Sequence, residues 1–227
     1  MNFRDLRIVF GVVVFLAVAT VSTAHAQPIP SDGFTATGSP GNDPMLALNG
    51  TGLYGTYPDE VHENGEAPHY WYVNMWYGYE APGSPLEPWF KVDLGQSYNL
   101  EAMRVWNWNQ NVDLWLGAAD SNIYYSNDVA DPGNVGAPGW TLLTSTTFTK
   151  ATGSNSYGPP DEVDFGGNAA RWVVIEMLNS HDGDPWPGGV GLSEVQFVKV
   201  IPEPSTAVLA AFGLLSLGVW GWRRRRH

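Results

Sequence analysis

Between its two ends the chain has no stretch that keeps a helical period; short apolar runs alternate with Gly, Pro, Asn and Asp instead. Trp89–Leu94 (WFKVDL) alternates and puts Phe90, Val92 and Leu94 on one face, and Ala102–Trp108 (AMRVWNW) does the same with Met103 and Val105. Ser121–Ser126 (SNIYYS), Trp140–Thr149, Arg171–Leu178 (RWVVIEML) and Gly191–Val200 (GLSEVQFVKV) are further β-branched, aromatic or Thr-rich runs of strand length. Runs of this length bounded by turn formers predict strands. Six of them, with no helix between, predict an all-β sandwich or jelly roll of about 150–170 residues.

The ends differ in kind from the middle. Met1–Ala26 carries Arg4 and Arg7, an apolar stretch from Ile8 to Val21, and Ala24-His25-Ala26 before Gln27. That order predicts the helix of a secretory signal peptide. At the other end, the apolar run Thr206–Trp222 is 17 residues long and is followed by Arg223, Arg224, Arg225 and Arg226. Such a run is at the short end of what a bilayer requires, and the arginines would stay cytoplasmic. It predicts a C-terminal transmembrane helix of marginal length, weakened by Gly213, Gly218 and Gly221. The plan is a signal peptide at 1–26, a lead-in at 27–39 rich in Pro, Gly, Ser and Thr, a β-sandwich at 40–200 and a tail at 201–227.

Charge and composition narrow the partners. The whole chain has a net charge of −12, and without the two ends five Lys/Arg face 21 Asp/Glu, which leaves −16. A surface of that sign repels DNA, RNA and anionic headgroups, which need clustered cations, so no nucleic-acid partner is expected. The eleven Trp argue for a packed core rather than a disordered acidic chain. With no cysteine, thiol redox chemistry and Cys-based zinc sites are excluded.

Four segments in order carry a resemblance. WFKVDLGQSYNLEAMRVWNWNQN (Trp89–Asn111), ARWVVIEML (Ala170–Leu178), GLSEVQF (Gly191–Phe197) and ALNGTGL (Ala47–Leu53) resemble, in turn, the W-x-x-x-D-L-G hallmark, the penultimate strand, the closing strand and the opening loop of discoidin, or F5/8 type C, domains. The resemblance implies a galactose-binding-like jelly-roll sandwich and extracellular adhesive binding. It also implies a calcium ion joining the opening loop to the closing strand, with Asn49, Thr51 and Glu194 in the ligand positions and Thr56 as a further candidate. Asn49 stands where the family usually has Asp, which removes one charge and lowers the expected affinity. Read from the residues alone, an Asx turn at Asn49-Gly50 with Glu194 hydrogen-bonded to backbone is an equal alternative.

The tail carries a second resemblance. Pro202-Glu203-Pro204, the apolar run and the four arginines resemble the PEP-CTERM sorting signal of bacterial exported proteins. That implies an exosortase-type protease as a partner during export, transient membrane insertion, and a mature protein outside the cell or at its surface. Pro202 and Pro204 keep the junction extended, as a protease substrate should be.

Carbohydrate binding is the chemistry best equipped. HYWYVNMWYGYE (His69–Glu80), WNWNQNVDLW (Trp106–Trp115) and SHDGDPWPGG (Ser180–Gly189) mix indoles and phenols with amides, imidazole and carboxylates. Sugars take an apolar stacking face plus a few aimed polar groups. Trp71, Trp108, Asn109, His181 and Trp186, on predicted loops, are the candidates, whereas Trp76, Trp89 and Trp106 lie in or beside strand patterns and are expected to pack. Catalysis is poorly supplied. The acidic clusters Asp59-Glu60, Glu63, Glu66 and Asp161-Glu162, Asp164 read as solvated loops, and neither an HExxH, a G-x-S-x-G elbow nor a P-loop is present. The expectation is an exported, non-enzymatic module that recognises polysaccharide. The alternatives are a structural envelope or matrix protein that meets other proteins, and a glycoside-active enzyme.

Overall fold

In a computed structural model, residues 26–64, 74–79, 88–181, 189–201 and 213 are described. Eleven strands follow in order: β1 (Gln27–Pro28), β2 (Thr35–Gly38), β3 (Leu53–Tyr54), β4 (Val61–His62), β5 (Trp76–Gly78), β6 (Trp89–Asn107), β7 (Asp120–Ser126), β8 (Thr141–Thr147), β9 (Asp161–Asp164), β10 (Ala169–Met177) and β11 (Val190–Lys199). Among the described residues every pairing between these strands is antiparallel, and an isolated bridge from Gly117 to Gly191 is parallel. The main order is β1-β11-β6-β10-β7-β8, with β2 and β9 also on β6, β5 on β11, and β3-β4 as a separate hairpin. The six runs expected from the sequence all fall in strands, and the first two are one strand.

That strand, β6, organises the sandwich. Its first half pairs with β10 and β2, and its second half with β11 and β9. The crossing between layers falls at Gly95–Asn99, which is largely exposed. Gly95 has φ +76°, and a Cβ there would lie 2.8 Å from the Gly33 carbonyl oxygen, so the bend needs glycine. On either side of it the alternation holds: Phe90, Val92, Leu94, Met103 and Val105 are all buried. They meet Ile123, Val173, Ile175, Met177, Val195 and Phe197 in one core, each fully buried large side chain contributing about 1.5–3 kcal/mol of transfer free energy.

The segment 27–39 is not a lead-in. It supplies β1 and β2, and its Ile29 and Phe34 enter the core. Pro and Gly masked the signal: β1 and β2 are edge strands, where a missing N–H is tolerated. The outer face of the β6–β11 layer is covered by a stretch of the 43–64 region. Arg104 of β6 is the anchor, with its guanidinium donating to Glu60 (2.6 Å), Gln196 (2.9 Å) and the Pro58 carbonyl. It lies between the rings of Tyr57 and Trp106, 5.1 and 4.8 Å from their centroids. The expected signal helix and the span Thr206–Trp222, Gly213 apart, lie outside the described residues. Among the described residues no helix is long and apolar enough to cross a membrane.

Candidate functional site

One pole of the sandwich gathers the loop after β6, β5, the 114–118 turn, residues 153–155 and Ser180-His181. Two of its expected ligand residues are structural. Trp108 is fully buried with Met75 and Leu116. It fits there because residue 191 is Gly: a Cβ would lie 2.3 Å from the indole. Its ring is therefore not a stacking platform, which corrects the loop assignment. Asn109 is also fully buried. Its amide donates to Ser154 O (2.8 Å) and Glu63 O (3.2 Å) and accepts from Gly153 N (2.8 Å), so it ties three loops together instead of facing a ligand.

His181 lies half-buried at the rim. Its Nε2 is 3.3 Å from the Asn107 amide, and burial together with Lys150 holds its pKa below the ordinary histidine value. It is thus largely neutral at pH 7, able to donate and accept. Trp71 and Trp186 lie outside the described residues.

What remains accessible at this pole is a row of rings that the sequence reading passed over. β5 turns Trp76 and Gly78 inward and Tyr77 and Tyr79 outward. Tyr79 is 38 % exposed, its ring centroid 6.3 Å from Tyr77, which lies 6.0 Å from Trp108. Trp115 packs partly buried against the same cluster. The signal was present, since Tyr77 and Tyr79 alternate with Trp76 and Gly78 in the aromatic-rich stretch.

The cation candidates lie elsewhere, under the covered face. Glu194 is 2 % exposed and pairs across the sheet with Trp106. One carboxylate oxygen accepts from Gly50 N (3.1 Å), and the other, fully buried, has no hydrogen-bond partner. Burial pushes its carboxyl well above the usual glutamate range. Asn49 accepts from Thr51 N at 2.8 Å, an Asx turn, while the Thr56 carbonyl closes a turn with Asp59 N. A cavity of about 220 Å³ runs between Asn49-Gly50, Leu53 and the Glu194–Gln196 stretch. The orphaned buried carboxylate oxygen could serve a hard cation, but Pro28, Ile29, Phe34, Leu48 and Phe197 also line the cavity, so its oxygen donors are few. The set holds one carboxylate, and among the described residues no three His, Asp or Glu cluster as ligands.

Several of the carboxylates considered for catalysis are engaged, and Glu66 lies outside the described residues. Glu60 receives Arg104, Glu63 receives the Tyr54 hydroxyl (2.8 Å), and Asp161 receives the Thr149 N–H (2.7 Å) and hydroxyl (2.8 Å).

Comparison with known proteins adds three findings. Residues 200–226 match the PEP-CTERM protein-sorting motif. No curated protein matches the chain. Among solved structures, the family 32 carbohydrate-binding module of C. perfringens NanJ, determined with galactose, superposes with a TM-score of 0.51 at 14% identity, covering 77% of this chain and 100% of that one. An F5/8 type C domain from Bacteroides fragilis gives 0.51 at 12% identity, covering 78% of this chain and 98% of that one. At such identities the likeness shows the fold alone: residues 26–200 form a β-sandwich with the galactose-binding-like fold of these modules, and residues 200–226 match a PEP-CTERM sorting motif.

Proposed function

We propose that this chain is an exported, non-enzymatic module that binds carbohydrate of the cell surface or extracellular matrix. An exosortase-type protease would process it at Pro202-Glu203-Pro204, releasing or re-anchoring the domain outside the cell. The observation that carries the binding role is the exposed Tyr79 with its neighbour Tyr77 and the partly buried Trp115 at the loop pole, where His181 is also held, its backbone N–H bonded to Gly117 O (3.0 Å). Aromatic faces next to a donor–acceptor group suit a sugar ring, with its apolar C–H face and hydroxyl edge. A similar fold solved with galactose supports the reading, and so does the sorting motif. Affinity gels loaded with polysaccharide test it: Tyr79→Ala and Trp115→Ala should each release the protein at least tenfold more readily. Absence of retention of the wild type on every polysaccharide, with and without calcium, would overturn it.

Calcium is proposed as a structural partner of the same domain. Glu194, the Asn49 side chain and Thr51 would hold it, and backbone carbonyls would complete the oxygen set. The ion would supply a charge that lets buried Glu194 ionise, cross-linking the opening loop to β11. Binding to the folded state must raise the melting midpoint, by about 2.7 kcal/mol in stability at a hundred times Kd. An unchanged midpoint at millimolar calcium would remove the ion from this proposal.

A further inference from the structure

The outer face of the β10 layer holds a second arrangement of aromatic and polar groups, on different strands from the loop pole. Trp172, Val174 and Glu176 of β10 point away from the core, whose members on that strand are Ala170, Val173, Ile175 and Met177. Beside them, the register sets Glu176 opposite Trp89 and Val174 opposite Lys91. On the other flank β7 offers Tyr124 and Asn122.

The groups there are ordered by contacts. The Lys91 ammonium lies 5.7 Å from the centroids of both Trp89 and Trp172, and donates to both carboxylate oxygens of Asp131 at 2.8 Å. Asp131 in turn accepts from Gly133 N, and the Trp140 indole donates to Gly133 O, which fixes the 133–135 turn over the sheet. Glu176 uses one oxygen to accept from Asn122 (2.9 Å) and the Tyr124 hydroxyl (3.2 Å). Both partners are uncharged, so this carboxylate has no cation of its own among those contacts.

A narrow cleft results. Trp89 is one wall, the 133–135 turn is the other, and Lys91, Val174 and Glu176 line it. Its enclosed part is about 10 Å³, roughly the room one water or one hydroxyl oxygen needs. The Lys91 ammonium spends its donors on Asp131 and the Gly133 carbonyl (3.4 Å), so a cleft that admits one oxygen, with the Glu176 carboxylate at hand and a partly exposed indole beside it, has the elements of a sugar subsite: the hydroxyl enters and the ring rests on the indole. Charge selects the class of sugar. Lys91 is already matched by Asp131, Glu176 adds a negative charge, and the domain as a whole is strongly acidic, so a uronate would be repelled.

We propose that this cleft is a second carbohydrate subsite, specific for an uncharged pyranose, with Trp89 as its stacking face and Glu176 as its hydroxyl acceptor. It rests on the reading of the domain as a carbohydrate binder, but on none of the residues of the loop pole. Its place on a sheet face would let one chain hold two points of a polymer, or two polymers.

Titration calorimetry of residues 26–200 within the full chain, with galactose, glucose, N-acetylglucosamine and galacturonate as probes, tests it. At least one uncharged sugar should bind twice per chain. Trp89→Ala should remove the cleft site and leave the loop pole, Glu176→Gln should weaken the cleft site about tenfold, and Tyr79→Ala should remove the loop-pole site. Thermal melts accompany each variant, and Glu176→Gln, a surface change of similar shape, carries the test if Trp89→Ala fails to fold. One bound sugar that is lost in Trp89→Ala and unaffected by Tyr79→Ala retains this subsite and removes the loop pole. Binding that survives both Trp89→Ala and Glu176→Gln, or galacturonate bound as tightly as galactose, overturns the proposal alone. A wild type that binds none of the sugars overturns it together with the function on which it rests.

Discussion

The two outer faces of the sandwich bury one cation each, and they do it differently. On the β6–β11 face, Arg104 is covered by the segment around Pro58 and Glu60, and the side chains of the pair are 2 % and 9 % exposed. On the β6–β10 face, Lys91 is 9 % exposed but its partner Asp131 is 50 % exposed. Arg104 also gathers Gln196 and two aromatic faces, which suits a planar guanidinium with a fork of donors. Lys91 brings a point charge between two indoles. The comparison teaches that the exposure of the partner, more than that of the cation, decides whether a buried ion pair acts as a structural clamp or leaves its face adaptable. The covered face is closed over its charges, and the open face keeps partly exposed aromatic rings available.

That contrast can be broken most severely at Arg104. Arg104→Met leaves Glu60 buried without a counter-charge, and loss of one member of a buried pair costs about 3–5 kcal/mol; urea unfolding should report a loss of that size. Glu194, under the same cover, should make the covered face sensitive to pH in the absence of calcium. Its folded-state pKa is raised by burial above the ordinary 4.5. Its contribution is therefore complete below that ordinary value and is lost as pH rises through the folded-state value. The melting midpoint of the wild type should decline across that interval, and Glu194→Gln should flatten the decline; an equal slope in both proteins would show that Glu194 is not the group responsible. The smallest effect belongs to the open face. Lys91→Met leaves Asp131 free to hydrate, so urea unfolding should report a loss of about 1 kcal/mol or less. Equal costs for Arg104→Met and Lys91→Met would erase the distinction.

The strands were legible where one face is buried, because alternation of Phe90, Val92 and Leu94, or of Val173, Ile175 and Met177, reports burial directly. β1 and β2 were not, since edge strands of two and four residues tolerate Pro and Gly and carry little alternation. The fusion of two expected strands into β6 was hidden by Gly95, which reads as a turn but serves as a bend between layers. In the candidate site, type was readable and direction was not. Trp108 looked like a platform, yet the space that takes it inward is created by Gly191, 83 positions away, and no local pattern records that vacancy. Trp89, expected to pack, is partly buried at the start of β6 with Lys91 over its ring. Glu194 was picked out through its family position, and its isolation under Gly50 follows from a loop that meets it only in three dimensions.

The course of β11 has a mechanical consequence. It begins at Val190, next to Gly191 against Trp108, and it ends at Lys199 opposite Gln27, a path of about 30 Å at ordinary strand rise. A tail held beyond Val200 and a polymer held at the loop pole would therefore pull along this strand. The load falls on its hydrogen bonds to β6 together, in shear, rather than opening them one after another. If the proposed binding and anchoring both hold, the strand that closes the sheet would make the domain a stiff link under tension.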